Sequence, residues 1–209
     1  FPCQFLLATS EWLSRNRPLS TVTDVTEVSE EELSRASLLK TPQQVLAVFR
    51  QPDEETDISV ISHSLCLALD DVQDPGNLGT IVRLADWFGI EHIFCSPNTV
   101  DVYNPKTVQA TMGGIARVKL HYTSLPELIA SLEDIPVYGT FLDGENMYTA
   151  NLSGAIGIVI GNEGSGVSKL VRKNCDFTVS IPVRGEIESL NASVAAGVLA
   201  YEVVRARTM

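Results

Sequence analysis

A chain of 209 residues, 44% of them hydrophobic, is long enough to bury a full core as one large domain, or as one domain with a small companion. Its net charge of −11, from 15 basic and 26 acidic residues, argues against an extended basic groove for nucleic acid, because phosphate binding draws its affinity from lysine and arginine. A local basic patch stays compatible with that total, since the acids cluster over 27–32 and 53–57, and charge counted over a whole chain says nothing of its distribution. The uncharged run over 189–201 is too short and too rich in small residues to span a bilayer, and the first residues do not form a basic-then-apolar signal segment, so the expectation is a cytoplasmic protein with no membrane contact.

In chain order, the first fifty residues read as a compact α/β piece. A strand-like run covers 5–8, Ser29 with Glu32 is a capping-box signal for a short helix, and 45–49 is a second strand. Residues 51–64, with Pro52 and several acids, read as a linker region. The domain expectation is therefore a small unit over 1–56, a connection over 57–64 and a larger unit over 65–209. In the larger unit, strands over 65–69, 92–95, 137–141, 155–160 and 178–181 alternate with helical patterns over 77–88, 104–111, 124–133, 166–173 and 190–206. This alternation implies an α/β fold with a mostly parallel sheet covered by helices on both faces. Cys3, Cys66, Cys95 and Cys175, like His63, His92 and His121, are too scattered for a metal site; the thiols read as free and buried, the histidines as surface or strand-end residues.

Three polar loops follow strands, and ligands of such folds bind beyond the carboxyl ends of strands. In Asp74-Pro75-Gly76-Asn77-Leu78-Gly79-Thr80-Ile81-Val82-Arg83, Asn77 is placed as an N-cap, and Arg83 stands above Gly79 and Thr80 with little side-chain cover. An open guanidinium suits a phosphate or a developing oxyanion; an isolated surface arginine is the plain alternative. The loop Gly161-Asn162-Glu163-Gly164-Ser165-Gly166 lacks the lysine of a phosphate loop and the glycine order of a dinucleotide fingerprint, and Glu163 would repel a pyrophosphate. A ligand with hydroxyl or amine donors, or with positive charge, suits it better. Ser189 and Asn191 open the last helix, where Ser189 reads first as a cap. No base accompanies it, which argues against a serine nucleophile. Ala192, Ala195, Ala196, Gly197 and Ala200 make this helix fit for close packing, within the chain or across a subunit interface.

Taken together with Ala110-Thr111-Met112-Gly113-Gly114 and Ile181-Pro182, the three loops resemble the ordered motifs of the SpoU (TrmH-like) RNA 2′-O-ribose methyltransferases over essentially all of 65–209. The resemblance implies a SPOUT-type fold with a C-terminal trefoil knot, S-adenosylmethionine as methyl donor, an RNA substrate and a homodimer. It implies that Asn77, Arg83, Glu163, Ser189 and Asn191 form the catalytic constellation. Thr140, Leu142, Gly161, Asn162, Gly164, Ile181 and Leu190 would cradle the cofactor, largely through backbone contacts. Residues 1–50 look like the latter part of the ribosomal-protein-like RNA-binding domain found in many such enzymes, without its usual first strand and helix. That favours ribosomal RNA, with transfer RNA as the alternative. A non-catalytic RNA-binding or assembly factor of the same fold is the rival from another class, and a dinucleotide-dependent enzyme conflicts with the glycine spacing.

Overall fold

The computed structural model describes residues 1–16, 22, 24–52, 61, 64–154 and 157–208. The chain divides into two compact units, Phe1–Glu55 and Thr56–Met209.

In the first unit, β1 (Cys3–Ala8), β2 (Val25–Glu27) and β3 (Val45–Phe49) form a sheet in the order β2-β1-β3. β2 runs parallel and β3 antiparallel to β1. Helix α1 (Ser10–Arg15) starts where the Thr9 side chain accepts the Trp12 amide. Helix α2 (Glu30–Ala36) starts at the expected reciprocal box of Ser29 and Glu32, and buries Leu33. The sequence reading omits β2 and α1, because three exposed residues and a single six-residue helix are too short for periodicity to register.

The second unit is a sheet of six parallel strands in the order β6-β5-β4-β8-β7-β9. Its elements are β4 (Cys66–Leu69), α3 (Pro75–Phe88), β5 (His92–Cys95), α4 (Pro105–Thr111), β6 (Lys119–Tyr122), α5 (Leu125–Ala130), β7 (Val137–Asn146), β8 (Gly157–Ile160), α6 (Lys169–Asn174), β9 (Phe177–Ser180) and α7 (Ala192–Thr208). Successive strand residues point to opposite faces, and both faces are buried. Leu67, Leu69, Ile158 and Ile160 pack with Leu78, Ile81 and Val82 of α3 and with Ala196, Leu199 and Val203 of α7. Cys66, Ala68 and Val159 pack with Leu125, Leu128 and Ile129 of α5 and Val171 of α6. Burial on both sides makes these strands uninterrupted apolar runs, which is why they are visible in the sequence. The edge strand β6, Lys-Leu-His-Tyr, has a mixed burial pattern and is absent from the sequence reading. Residues 155 and 156, at the start of the expected strand over 155–160, lie outside the described residues, as do His63 and most of the expected connection over 57–64.

His92 and His121 correct the surface reading: both are buried, with Nδ1 of His92 and Nε2 of His121 3.0 Å apart. All four cysteines are free, and Cys66 and Cys95 are buried; burial pushes the Cys66 thiol up to about 11, which keeps it neutral. Among the described residues no helix is long and apolar enough to cross a membrane, and no three metal-ligating side chains gather.

Strand order reverses around β4 and β8, so the crevice beyond their carboxyl ends is the switch point where parallel folds hold ligands. Helix α3 carries the first polar loop to this crevice and is held close to α4 by Gly79. A Cβ at that position would stand 2.4 Å from Ala110 Cβ and 2.7 Å from the Thr107 carbonyl oxygen. Gly79→Ala improves helix propensity by ~1 kcal/mol, yet it forces two backbones apart. A net loss of about 2 kcal/mol is expected from overpacking, to be measured by urea unfolding.

Candidate active site

The loop after β4 is built by its acids. Asp70 is buried, and its Oδ2 accepts the Ser168 amide at 2.7 Å. Asp71 adopts φ 60°; its amide donates to Ser96 Oγ, and its carbonyl accepts the Asn162 side-chain amide at 2.8 Å. These two residues fasten the loop after β8 to the loop after β4. Sequence reasoning passed over them, although a pair of carboxylates directly after an apolar strand was the available signal.

Asp74, rather than Asn77, caps α3: its Oδ1 accepts the Asn77 amide at 2.7 Å, with Pro75 in the first turn. Asn77 therefore sits inside the first turn with its side chain released from capping and 9% exposed. Its Nδ2 donates to Glu163 Oε1 at 2.8 Å, and its Oδ1 accepts from Asn191 Nδ2 at 2.8 Å. Asn191 Oδ1 in turn accepts the Ser193 amide at 3.0 Å, the Ser193 hydroxyl at 2.7 Å and the Val194 amide at 3.3 Å. Asn191, not Ser189, is thus the cap of α7, and one chain of side chains links the loops after β9, β4 and β8. Ser189 is exposed, and no side-chain hydrogen bond is formed by it among the described residues.

The glycine loop closes on itself. Asn162 Oδ1 accepts the amides of Gly164 at 2.8 Å and Ser165 at 3.0 Å, and a Cβ on Gly161 would stand 2.2 Å from Val167 N. The Asn162 side chain and the Gly164 amide thus shape the turn, and Glu163 is left between them reaching Asn77. On the neighbouring strand ends, Thr140 pairs with Val179, Leu142 is 71% exposed, Ile181 packs partly against the core and Leu190 is half exposed.

Arg83 is exposed one and a half turns beyond Asn77, and among the described residues it makes no ion pair. The carboxylate three residues on, Asp86, is within reach on a helix, but Arg117 occupies it with two bonds of 2.7 Å and holds it below the usual carboxylate range. Gly114 lies against this part of α3, where a Cβ would stand 3.6 Å from both Arg83 Cα and Asp86 Cβ. The segment after α4 therefore leaves Arg83 uncompensated and open.

The sequence profile of the SpoU rRNA methylase family matches residues 64–201. The chain belongs to this family. It is 34% identical over 179 residues to the 23S rRNA (guanosine(2553)-2′-O)-methyltransferase RlmP of Bacillus subtilis, covering 84% of this chain and 71% of that one. With the 23S rRNA (guanosine-2′-O-)-methyltransferase RlmB of Ralstonia nicotianae it shares 38% over 151 residues, 69% of this chain and 60% of that one. A TrmH-family structure from Porphyromonas gingivalis superposes with a TM-score of 0.87 at 38% identity, over 98% of this chain and 83% of the other. The SpoU methyltransferase AviRb of Streptomyces viridochromogenes, in complex with S-adenosylmethionine, superposes with a TM-score of 0.80 at 28% identity, over 99% and 84%. The matched SpoU segment contains each of the loops described above.

S-adenosylmethionine is the methyl donor of SpoU enzymes, and the strand ends have the chemistry to take it. Exposed Leu142 and Leu190 with half-buried Ile181 offer apolar surface for a purine and a thioether chain. The Glu163 carboxylate, which pairs with no cation among the described residues, suits a nearby positive charge. Because Asn77 is the common partner of the two outer loops, Asn77→Ala and Asn191→Ala should not add. A double-mutant cycle by urea unfolding is expected to show a coupling of about 1 kcal/mol, separate from the cap that Asn191 provides.

Proposed function

We propose that the chain transfers a methyl group to a ribose 2′-hydroxyl of ribosomal RNA in the cytoplasm, with Arg83, Asn77, Glu163, Ser189 and Asn191 at the reacting end and Thr140, Leu142, Gly161, Asn162, Gly164, Ile181 and Leu190 around the cofactor. The observation that carries this reading is the meeting of three loops through Asn77 beside one uncompensated arginine. When bound, S-adenosylmethionine supplies a sulfonium methyl that an incoming ribose oxygen can take in line.

The protein's part is alignment and charge. Holding both reactants in register is worth ~7 to 11 kcal/mol in favourable cases, and the bonded loops supply that rigidity. Arg83, whose intrinsic pKa lies above about 12, stays protonated, so its role is to bind the phosphate next to the target ribose and to stabilise the oxygen as its proton passes to solvent water and the donor leaves as a neutral thioether. Glu163 fixes Asn77, and Asn77 holds the crevice wall from which α3 projects Arg83. Ser189, exposed and free of side-chain bonds among the described residues, is available to the RNA.

The knot and the dimer belong to the same proposal. The chain leaves β9 at the sheet edge, yet Asn191 bonds Asn77 after β4, three strands away; the intervening segment has to pass the loops after β7 and β8, which supports a threaded path. A groove of about 560 Å³ between α3 and α7, lined by Thr80, Leu84, Tyr148, Val194, Gly197 and Tyr201, supports pairing with a second copy, since exposed apolar residues gather there. The structural likeness extends through the first unit, which supports a role for it in holding RNA.

Arg83→Ala should lower methyl transfer at least about a hundredfold while S-adenosylmethionine affinity stays near that of the wild type. Mass spectrometry of 2′-O-methylated nucleosides and calorimetry with the cofactor read the two effects, and near-normal turnover would remove Arg83 from the mechanism. Tyr201→Arg, in the groove and further along α7 than the bonded loops, should convert a dimer to a monomer in analytical ultracentrifugation; an unchanged sedimentation coefficient would move the interface elsewhere.

A further inference from the structure

Strand β7 interrupts its ladder with β9 beyond Thr140 and resumes it at Glu145 and Asn146. Thr140 and Glu145 both pair with Val179, so the four residues between them are looped out. The loop is tight: a Cβ on Gly144 would stand 2.6 Å from the Val179 carbonyl carbon. The Phe141 ring folds back over Gly139, where a Cβ would meet Phe141 Cε2 at 2.4 Å. Over that ring, 4.2 Å from its centroid, lies the guanidinium of Arg172 from α6. The same guanidinium donates through Nη2 to Asp143 Oδ2 at 2.8 Å.

One arginine therefore grips the residue before Leu142 by stacking and the residue after it by a charged hydrogen bond. A cation over an aromatic ring with a simultaneous directed bond suits arginine better than lysine. Leu142 is left standing out between two restrained neighbours. Because α6 follows the glycine loop and begins at its end, the contact also ties the looped-out segment of β7 to the loop after β8.

We propose that Arg172 is a positioning residue of the cofactor site, clamping Phe141 and Asp143 so that the Thr140–Leu142 wall is set before S-adenosylmethionine arrives. This rests on the assignment of that wall to the cofactor. A looped-out segment that had to be ordered on binding would spend affinity on its own immobilisation, and a preset one avoids that loss. The effect falls on cofactor binding and not on the reacting end, which is held by the bonds of Asn77.

The test is calorimetric titration of S-adenosylmethionine into the wild-type chain, Arg172→Ala, Phe141→Leu and the double variant, with thermal unfolding and RNA binding measured on each. Arg172→Ala is expected to weaken cofactor binding about tenfold, from the ordering of the freed loop, with RNA affinity and Tm close to the wild type. In steady state, KM for the cofactor should rise by about the same factor while kcat changes by less than about twofold. Phe141→Leu should weaken binding similarly, and the double variant little further, because the two residues form one clamp. Arg172→Lys, which keeps the ion pair and loses the flat stack, should fall between. Wild-type affinity in a folded Arg172→Ala variant would overturn the clamp while leaving the cofactor reading intact. No uptake by the wild-type chain would overturn both.

Discussion

The Asn77 side chain is the point on which the site depends. It is nearly buried, and its amide has one donor satisfied by Glu163 and its acceptor satisfied by Asn191. A buried amide deprived of a partner costs about 1 to 3 kcal/mol, so arrangements that part the loops after β4, β8 and β9 are penalised at the place where chemistry would occur. Asn191 raises the stake, because the oxygen that caps α7 and the nitrogen that reaches Asn77 belong to one side chain. Correct seating of the last helix and closure of the site are consequently one event.

The sheet makes that closure geometrically demanding. With the order β4-β8-β7-β9, Asn191, eleven positions past the end of the edge strand at Ser180, has to return to the middle of the sheet. Small residues make room for the return: Ala196 and Ala200 bury against the core, and a Cβ on Gly197 would already be 3.2 Å from Leu84 Cδ1. Glycines do the same inside the loops, as at Gly161, where a Cβ would stand 2.2 Å from the backbone of Gly166 and Val167. The small residues of α7 thus serve packing against α3 within the chain, whatever second surface they also border.

Buried parallel strands announce themselves by composition, so β4, β5 and β8 were legible in the sequence, as were the loops that follow them. What was not legible depended on partners distant in the chain. Asn77 had the right composition for a cap, yet Asp74 took that role because its carboxylate reaches the same first-turn amide from one position outside the helix. Ser189 lost to Asn191 for a related reason: the helix began two residues later than the small-residue pattern suggested, and the residue adjacent to its first turn captured the free amides. Asp70 and Asp71 leave only the signal of two acids after an apolar strand, because the amides their oxygens accept lie 98 and 91 residues away. The edge strand β6 and the short β2 had too little one-sided burial to leave a pattern.

The overall acidity of the chain sharpens the role of its unpaired cations. Arg117, Arg172 and Arg205 each spend their charge on a carboxylate, while Arg83, Lys169 and Arg184 make no ion pair among the described residues. These three stand on the first, second and third loop regions respectively. A cation already paired offers a phosphate little, since the partner has to be displaced, whereas an open one offers its full attraction to an incoming anion. Neutralising so few phosphates provides modest nonspecific affinity. Three open cations therefore border the crevice, where an incoming phosphate has no paired carboxylate to displace.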